Sequence, residues 1–254
     1  MKTEIINRVP HIILLYWIIK IASTTLGETG ADMFSMTFDL GYGTTIAIFM
    51  SLFLLLLGIK LYQKRYNPLT YWLVFTATAI VGTAISDYVD RTLGLGYVAG
   101  SIILIALLLI ILEIWYMKEK SIAVENITTT SSEIFYWLAF LIANTLGTAA
   151  GDFLADELGI GFLNSAILII GLLSFIAILH FYTKASSIVL FWLAFVLTRP
   201  LGATFGDLLT KSTIDGGLNF GTIGTSIFFA FILALALFRE MKAEKNRNID
   251  ELTL

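Results

Sequence analysis

The sequence predicts an all-α, polytopic membrane protein with eight transmembrane helices, arranged as four parallel two-helix repeats. Three observations predict it. The 254 residues are 57% hydrophobic and 14% charged, with a mean hydropathy of +0.86, too little charge to cover a soluble surface. Several apolar runs reach about 18 residues, enough to cross a hydrocarbon core of ~30 Å. A pattern of Trp, then Gly ten residues on, then Asp five further, recurs four times without a gap: Trp17, Gly27, Asp32; Trp72, Gly82, Asp87; Trp137, Gly147, Asp152; Trp192, Gly202, Asp207.

Each repeat reads as a helix running from the tryptophan to the aspartate, a glycine turn and a returning helix. An aromatic residue precedes each tryptophan (Tyr16, Tyr71, Tyr136, Phe191), and the turns are Leu40 to Gly43, Leu93 to Gly96, Leu158 to Gly161 and Leu218 to Gly221. The repeats fall at about 10–65, 66–120, 131–184 and 185–240. Crossings are expected at about 11–33, 43–62, 69–90, 97–117, 134–155, 161–181, 188–209 and 219–238. The tryptophans are 55, 65 and 55 residues apart, and the extra ten lie in a polar linker at about 118–133. A C-terminal tail follows at about 241–254.

Two crossings per unit give every unit the same orientation. Twelve of the 16 Lys and Arg residues lie on the side of the N-terminus and the ends of the even helices, among them Arg8, Lys60, Arg65 and Lys118. Both termini are therefore expected in the cytoplasm, in a bacterial inner membrane, with the linker on the same side. All five tryptophans are expected there as an interfacial belt, and the acceptor motif at Asn126 to Thr128 should stay unglycosylated. No cleavable signal is expected. The absence of cysteine excludes disulfides and thiolate sites, and a net charge of −3 gives no reason to expect nucleic acid.

The repeated small residues read as packing positions: Gly27, Gly82, Gly147 and Gly202, with Gly151 and Gly206 one turn on, allow close helix approach in lipid. The aspartates are different, because a carboxylate at membrane depth costs ~2.5–3.5 kcal/mol or more and is normally tied to an ion, a proton path or a partner. The bland reading is a structural hydrogen bond or cap at the loop. Fifteen residues from Trp to Asp span ~22 Å of helix, so the carboxylates should form one layer in the outer half.

At i,i+4 spacing, repeat 1 offers Glu28 and Asp32, and repeat 3 offers Asn144, Thr148, Asp152 and Asp156. Repeats 2 and 4 instead pair Asp87 with Arg91 and Asp207 with Lys211. A cation site is thus expected between repeats 1 and 3, from Glu28, Asp32, Asn144, Thr148 and Asp152, framed by two salt-bridged struts. Hydroxyls and an amide of the even helices (Thr44, Thr45, Ser101, Asn164, Ser165, Thr225, Ser226) are expected near that depth. An all-oxygen set suits hard cations, Mn²⁺, Mg²⁺ or Ca²⁺. His11 and His180 lie at the other interface. Lys20, a turn from Trp17, is expected to snorkel to the cytoplasmic face. Arg199, deeper and followed by Pro200, is expected to pair with Glu28. No catalytic motif appears, so neither an enzyme nor a resident cofactor is expected.

The segments Thr25–Asp32, Val81–Asp87, Asn144–Asp152 and Thr198–Asp207 resemble a bacterial family described as uncharacterised membrane-anchored or integral membrane proteins, across nearly the whole chain. They are also loosely similar to cation exchangers with acidic repeat motifs, although those repeats are inverted. The latter resemblance implies metal transport. The leading expectation is a secondary transporter of a hard divalent cation, Mn²⁺ ahead of Mg²⁺ and Ca²⁺, coupled to protons, in the lipid bilayer as a monomer or homo-oligomer. A passive cation channel with an acidic ring and a non-transporting scaffold are the alternatives. The cytoplasmic halves of the odd helices read as too apolar to line a channel.

Overall fold

A computed structural model describes residues 8–124 and 127–252, with side chains up to residue 246. It contains α1 (Leu14–Asp32), α2 (Gly41–Gln63), α3 (Pro68–Asp87), α4 (Tyr97–Glu119), α5 (Thr130–Asp152), α6 (Phe162–Tyr182), α7 (Ser187–Thr210) and α8 (Thr222–Leu252), with no strand among the described residues. Seven of these helices are long and apolar enough to cross a membrane. The exception is α1, which carries Lys20, Glu28, Asp32 and a run of hydroxyls. Its neighbours cover it, burying Lys20, Ser23, Thr24, Thr25, Glu28 and Asp32. The last helix runs well past residue 238, so most of the expected tail is helix. Asn126 lies outside the described residues.

Local sequence explains the helix ends. Asn67 accepts the Thr70 N–H at 3.1 Å with Pro68 opening α3, and Thr129 accepts the Ser132 N–H at 3.0 Å to open α5. In repeats 1 to 3 the odd helix continues past its aspartate as a π-helical turn, Met33–Thr37, Tyr88–Thr92 and Phe153–Glu157. The aspartates therefore sit inside continuous helix, and none of these three side chains caps the turn that follows it. The loop-capping role is set aside for them.

The odd helices close a ring: α1 packs on α3 and α7, and α5 packs on the same two. The even helices surround them, α2 against α3, α4 against α5, α6 against α7 and α8 against α1. Each outer helix thus leans on the inner helix of the next repeat, and α8 on α1 closes the circle. The outer helices expose large apolar side chains such as Leu54, Ile102, Ile167 and Phe231, a surface suited to lipid.

The starts of the inner helices meet in one aromatic layer. Tyr16 stacks on Trp72 (centroids 5.6 Å apart), Tyr71 on Trp137 (5.2 Å) and Trp17 on Phe191 (6.0 Å), while the Tyr71 and Tyr136 hydroxyls lie 2.5 Å apart. Trp72, Trp115 and Trp137 are fully buried. Four of the five tryptophans of the expected belt are therefore internal, because the ring turns these faces inward, and Trp17 alone is partly exposed. Two of the expected interfacial cations are also inside: Glu133 binds Arg8 at 3.0 Å and Lys60 at 2.7 Å, all three buried.

The motif glycines set the inner contacts. A Cβ at Gly27 would overlap Ala79 of α3, one at Gly82 would lie 2.9 Å from Asn144 of α5, one at Gly147 would overlap Arg199 of α7, and one at Gly202 would overlap Thr24 of α1. Each glycine meets the next repeat at the same register position, seven residues beyond its tryptophan. Gly27→Val and Gly82→Val should each destabilise by about 1–3 kcal/mol or more, since backbone as well as side chain must give way. Thermal melting in detergent, followed by size-exclusion fluorescence, would register the loss; unchanged melting would contradict the ring contacts.

Candidate functional site

The ring brings the four motif aspartates to the ends of the inner helices, and all four are buried. Arg91 Nε lies 3.3 Å from Asp87 Oδ1, and Lys211 Nζ lies 3.3 Å from Asp207 Oδ1, the i,i+4 pairs of the sequence. Each cation also reaches the next repeat. The Arg91 guanidinium donates to Asp152 at 3.3 Å, and Lys211 donates to Asp32 at 2.6 Å. This corrects the expectation that Arg91 and Lys211 serve only the aspartates of their own repeats, because Asp152 and Asp32 share them. Both cations stand at a seam between adjacent inner helices, so each serves the aspartates on either side of it.

Deeper in the ring, Arg199 of α7 reaches the three other inner helices. Its guanidinium donates to Glu28 at 3.0 Å, to the Thr148 hydroxyl at 2.7 Å and to the Thr83 hydroxyl at short range, and a second nitrogen lies 3.5 Å from the Thr24 carbonyl. Glu28, Thr83 and Thr148 hold one register position, eleven residues beyond each tryptophan. One oxygen from each of Glu28, Asp152 and Asp207 lies within 4.8 Å of the others. Leaving aside Asp90, which bonds Ser86, and Lys20, which touches no carboxylate, the five carboxylates Glu28, Asp32, Asp87, Asp152 and Asp207 meet the three cations Arg91, Arg199 and Lys211. The formal excess is two negative charges.

Below this level two further polar groups lie within the ring. The Asn144 amide donates to the Thr78 hydroxyl at 3.0 Å. Lys20, 0% exposed, donates to the Phe195 carbonyl at 2.8 Å and to the Thr198 hydroxyl at short range, with its ammonium 3.5 Å from the centre of the Phe195 ring. Lys20 holds the register of Phe75, Phe140 and Phe195 in the other repeats. It does not snorkel, because α3, α7 and α8 enclose its helix. Apart from Lys20, this level of the ring is aromatic, with Phe75, Phe140 and Phe195 buried in one apolar cluster.

Of the five expected ligands, Glu28 and Asp152 come together, joined by Asp207, which the sequence had made a strut. Asp32 is held by Lys211, Thr148 donates nothing to the cluster and serves Arg199, and Asn144 sits lower on Thr78. Asp156 is exposed on its π turn, where water rather than a second buried site carries its charge. The even-helix hydroxyls do not assemble a shell: Thr45 and Asn164 bond their own helix backbone or turn, and Ser226 bonds Thr29. Thr83 was missed, although its register match to Glu28 and Thr148 was visible in the sequence. His11 and His180 are exposed and take no part.

Fold and site together define an α-helical membrane protein of internal repeats, with a charged cluster buried inside a ring of helices. The chain belongs to the Repeat of Unknown Function (DUF347) family, whose model matches four times, at residues 15–66, 70–121, 135–186 and 190–246. No curated protein and no solved structure matches the chain.

Proposed function

We propose that the chain crosses the bacterial inner membrane eight times as four parallel two-helix repeats, both termini cytoplasmic, and acts as a secondary transporter of a hard divalent cation coupled to protons. The observation that carries this reading is the Glu28–Asp152–Asp207 cluster, set among five buried carboxylates that share three contacting cations. Oxygens on opposite sides of an ion bound at ~2.1–2.6 Å stand ~4.2–5.2 Å apart, so a spread of 4.8 Å fits such an ion with small movement. The donors are carboxylate oxygens alone, which favours Mn²⁺, Mg²⁺ or Ca²⁺ over Zn²⁺ or Cu⁺. Mn²⁺ stays ahead of the other two. A passive cation channel is less favoured, since Arg199 and Lys20 set positive charges along the axis.

A scaffold reading has one specific observation behind it: every motif aspartate touches a Lys or Arg. Against it stands the sharing of two cations among four aspartates, which leaves charge uncompensated at high desolvation cost. Purified protein in liposomes decides between them. Mn²⁺ influx should rise when an opposing pH gradient is imposed, with Mg²⁺ and Ca²⁺ competing. Absence of flux for all three ions at every gradient would leave the scaffold.

A further inference from the structure

Lys20 is a buried amine on the inner-helix ring with no carboxylate partner among the described residues. Its nitrogen meets a backbone carbonyl, the Thr198 hydroxyl and the Phe195 ring, with the Phe75 ring 5.6 Å away. This cage accommodates an ammonium through its two acceptors and ring face, yet supplies no neutralising charge. The titratable and charged groups described on the helices packed against α1 are Arg199 and Asp207 on α7, Tyr71 and Asp87 on α3, and Arg239, Glu240, Lys242, Glu244 and Lys245 at the far end of α8. On α1 itself they are Tyr16, Glu28 and Asp32. Arg199 follows Thr198 directly, so a second cation stands between Lys20 and the carboxylates.

Charge counting then ties Lys20 to the cluster. With Lys20 protonated, four cations answer five carboxylates and the excess is one negative charge. With Lys20 neutral it is two, the charge that a divalent ion cancels. We propose that Lys20 carries the coupling proton: the ammonium gives its proton to solution, becoming a neutral amine, as a divalent cation enters at Glu28, Asp152 and Asp207. The exchange balances, with two positive charges arriving and one leaving, and the central charge goes from minus one to zero. Lys20 lies eight residues before Glu28, or ~12 Å along α1, near enough for the two charges to oppose each other in a dry interior. The inference rests on the transporter reading and names its coupling group.

Mn²⁺ titration of the full chain in detergent tests it, with calorimetry for binding and an indicator dye in weak buffer for proton release. Lys20→Met removes both charge and proton, whereas Lys20→Arg keeps the charge on a group that does not deprotonate. Wild type should release about one proton more per bound Mn²⁺ than either variant. At neutral pH Lys20→Met should bind Mn²⁺ about tenfold more tightly than wild type, and Lys20→Arg more weakly than Lys20→Met by at least that factor. A structural role would lower affinity in both and leave proton release unchanged, which would overturn the assignment. If Lys20→Met does not fold, proton release in wild type and Lys20→Arg decides alone. Mn²⁺ binding with equal release in all three removes Lys20 and keeps the transporter; no Mn²⁺ binding by wild type removes the transporter and, with it, this role.

Discussion

Asp152→Asn and Asp207→Asn should each yield a folded protein whose affinity for Mn²⁺ has fallen about a hundredfold or more. The folding half of this expectation comes from the shared cations. Losing Asp152 leaves Arg91 on Asp87, and losing Asp207 leaves Lys211 on Asp32, so neither variant strands a buried cation. The affinity half comes from electrostatics. A unit charge at ~4 Å contributes ~4 kcal/mol at an effective dielectric of ~20, doubled for a divalent ion and partly offset by desolvation. A little over a third of that gross ~8 kcal/mol is enough for the hundredfold, at ~1.4 kcal/mol per factor of ten. Asp87→Asn should cost less than tenfold, because Asp87 lies outside the three-carboxylate cluster. Calorimetry and liposome flux on the three variants, at matched expression, check the pattern. Equal losses in all three would replace the cluster by a symmetric acidic ring, and no loss in any would return the scaffold. Combining Asp87→Asn with Asp152→Asn strands Arg91 and should sharply lower expression.

Much of this architecture was legible from residue spacing, and the reason is the repeat itself. Four copies of one Trp–Gly–Asp pattern impose the same depth on equivalent residues, so the aspartate layer and the packing glycines could be read without a structure. Spacing within one helix also gave the Asp87–Arg91 and Asp207–Lys211 contacts. What it did not give is the order of helices around the ring. Arg91 and Lys211 serve two aspartates each because α3 adjoins α5 and α7 adjoins α1, contacts between residues 61 and 179 positions apart. Reading faces helix by helix assigned Asp207 to a strut, whereas the ring turns it towards Glu28. Lys20 shows the same limit. Its distance from Trp17 matched a snorkelling residue, but snorkelling needs a free face, and α1 has neighbours on three sides. The substitution of Lys20 for a phenylalanine kept in the other repeats was the signal present in the sequence. α1 itself departs from the apolarity of the other helices for the same reason: its solvent is protein.

Arg199→Met should lower stability by about 3–5 kcal/mol, the usual cost of leaving one half of a buried ion pair uncompensated. Arg199 is the residue through which α7 holds α1, α3 and α5 together, so its loss touches three interfaces at once. Glu28 would keep a charge with no cation in contact, and the Thr83 and Thr148 hydroxyls would lose their shared donor. For a chain of this length each kcal/mol moves the melting point by roughly 2–4 °C, which makes the expected fall about 10 °C. Arg199→Lys should recover only part of it, because one compact ammonium does not reproduce the planar fork. The double variant Arg199→Met with Glu28→Gln should melt above Arg199→Met alone, since removing the stranded carboxylate removes the dominant cost. That double-mutant cycle should report a coupling of about 1–3 kcal/mol between the two residues. Additive effects across the cycle would mean that Glu28 is neutralised by another group, and would move the centre of the site away from the Arg199 axis.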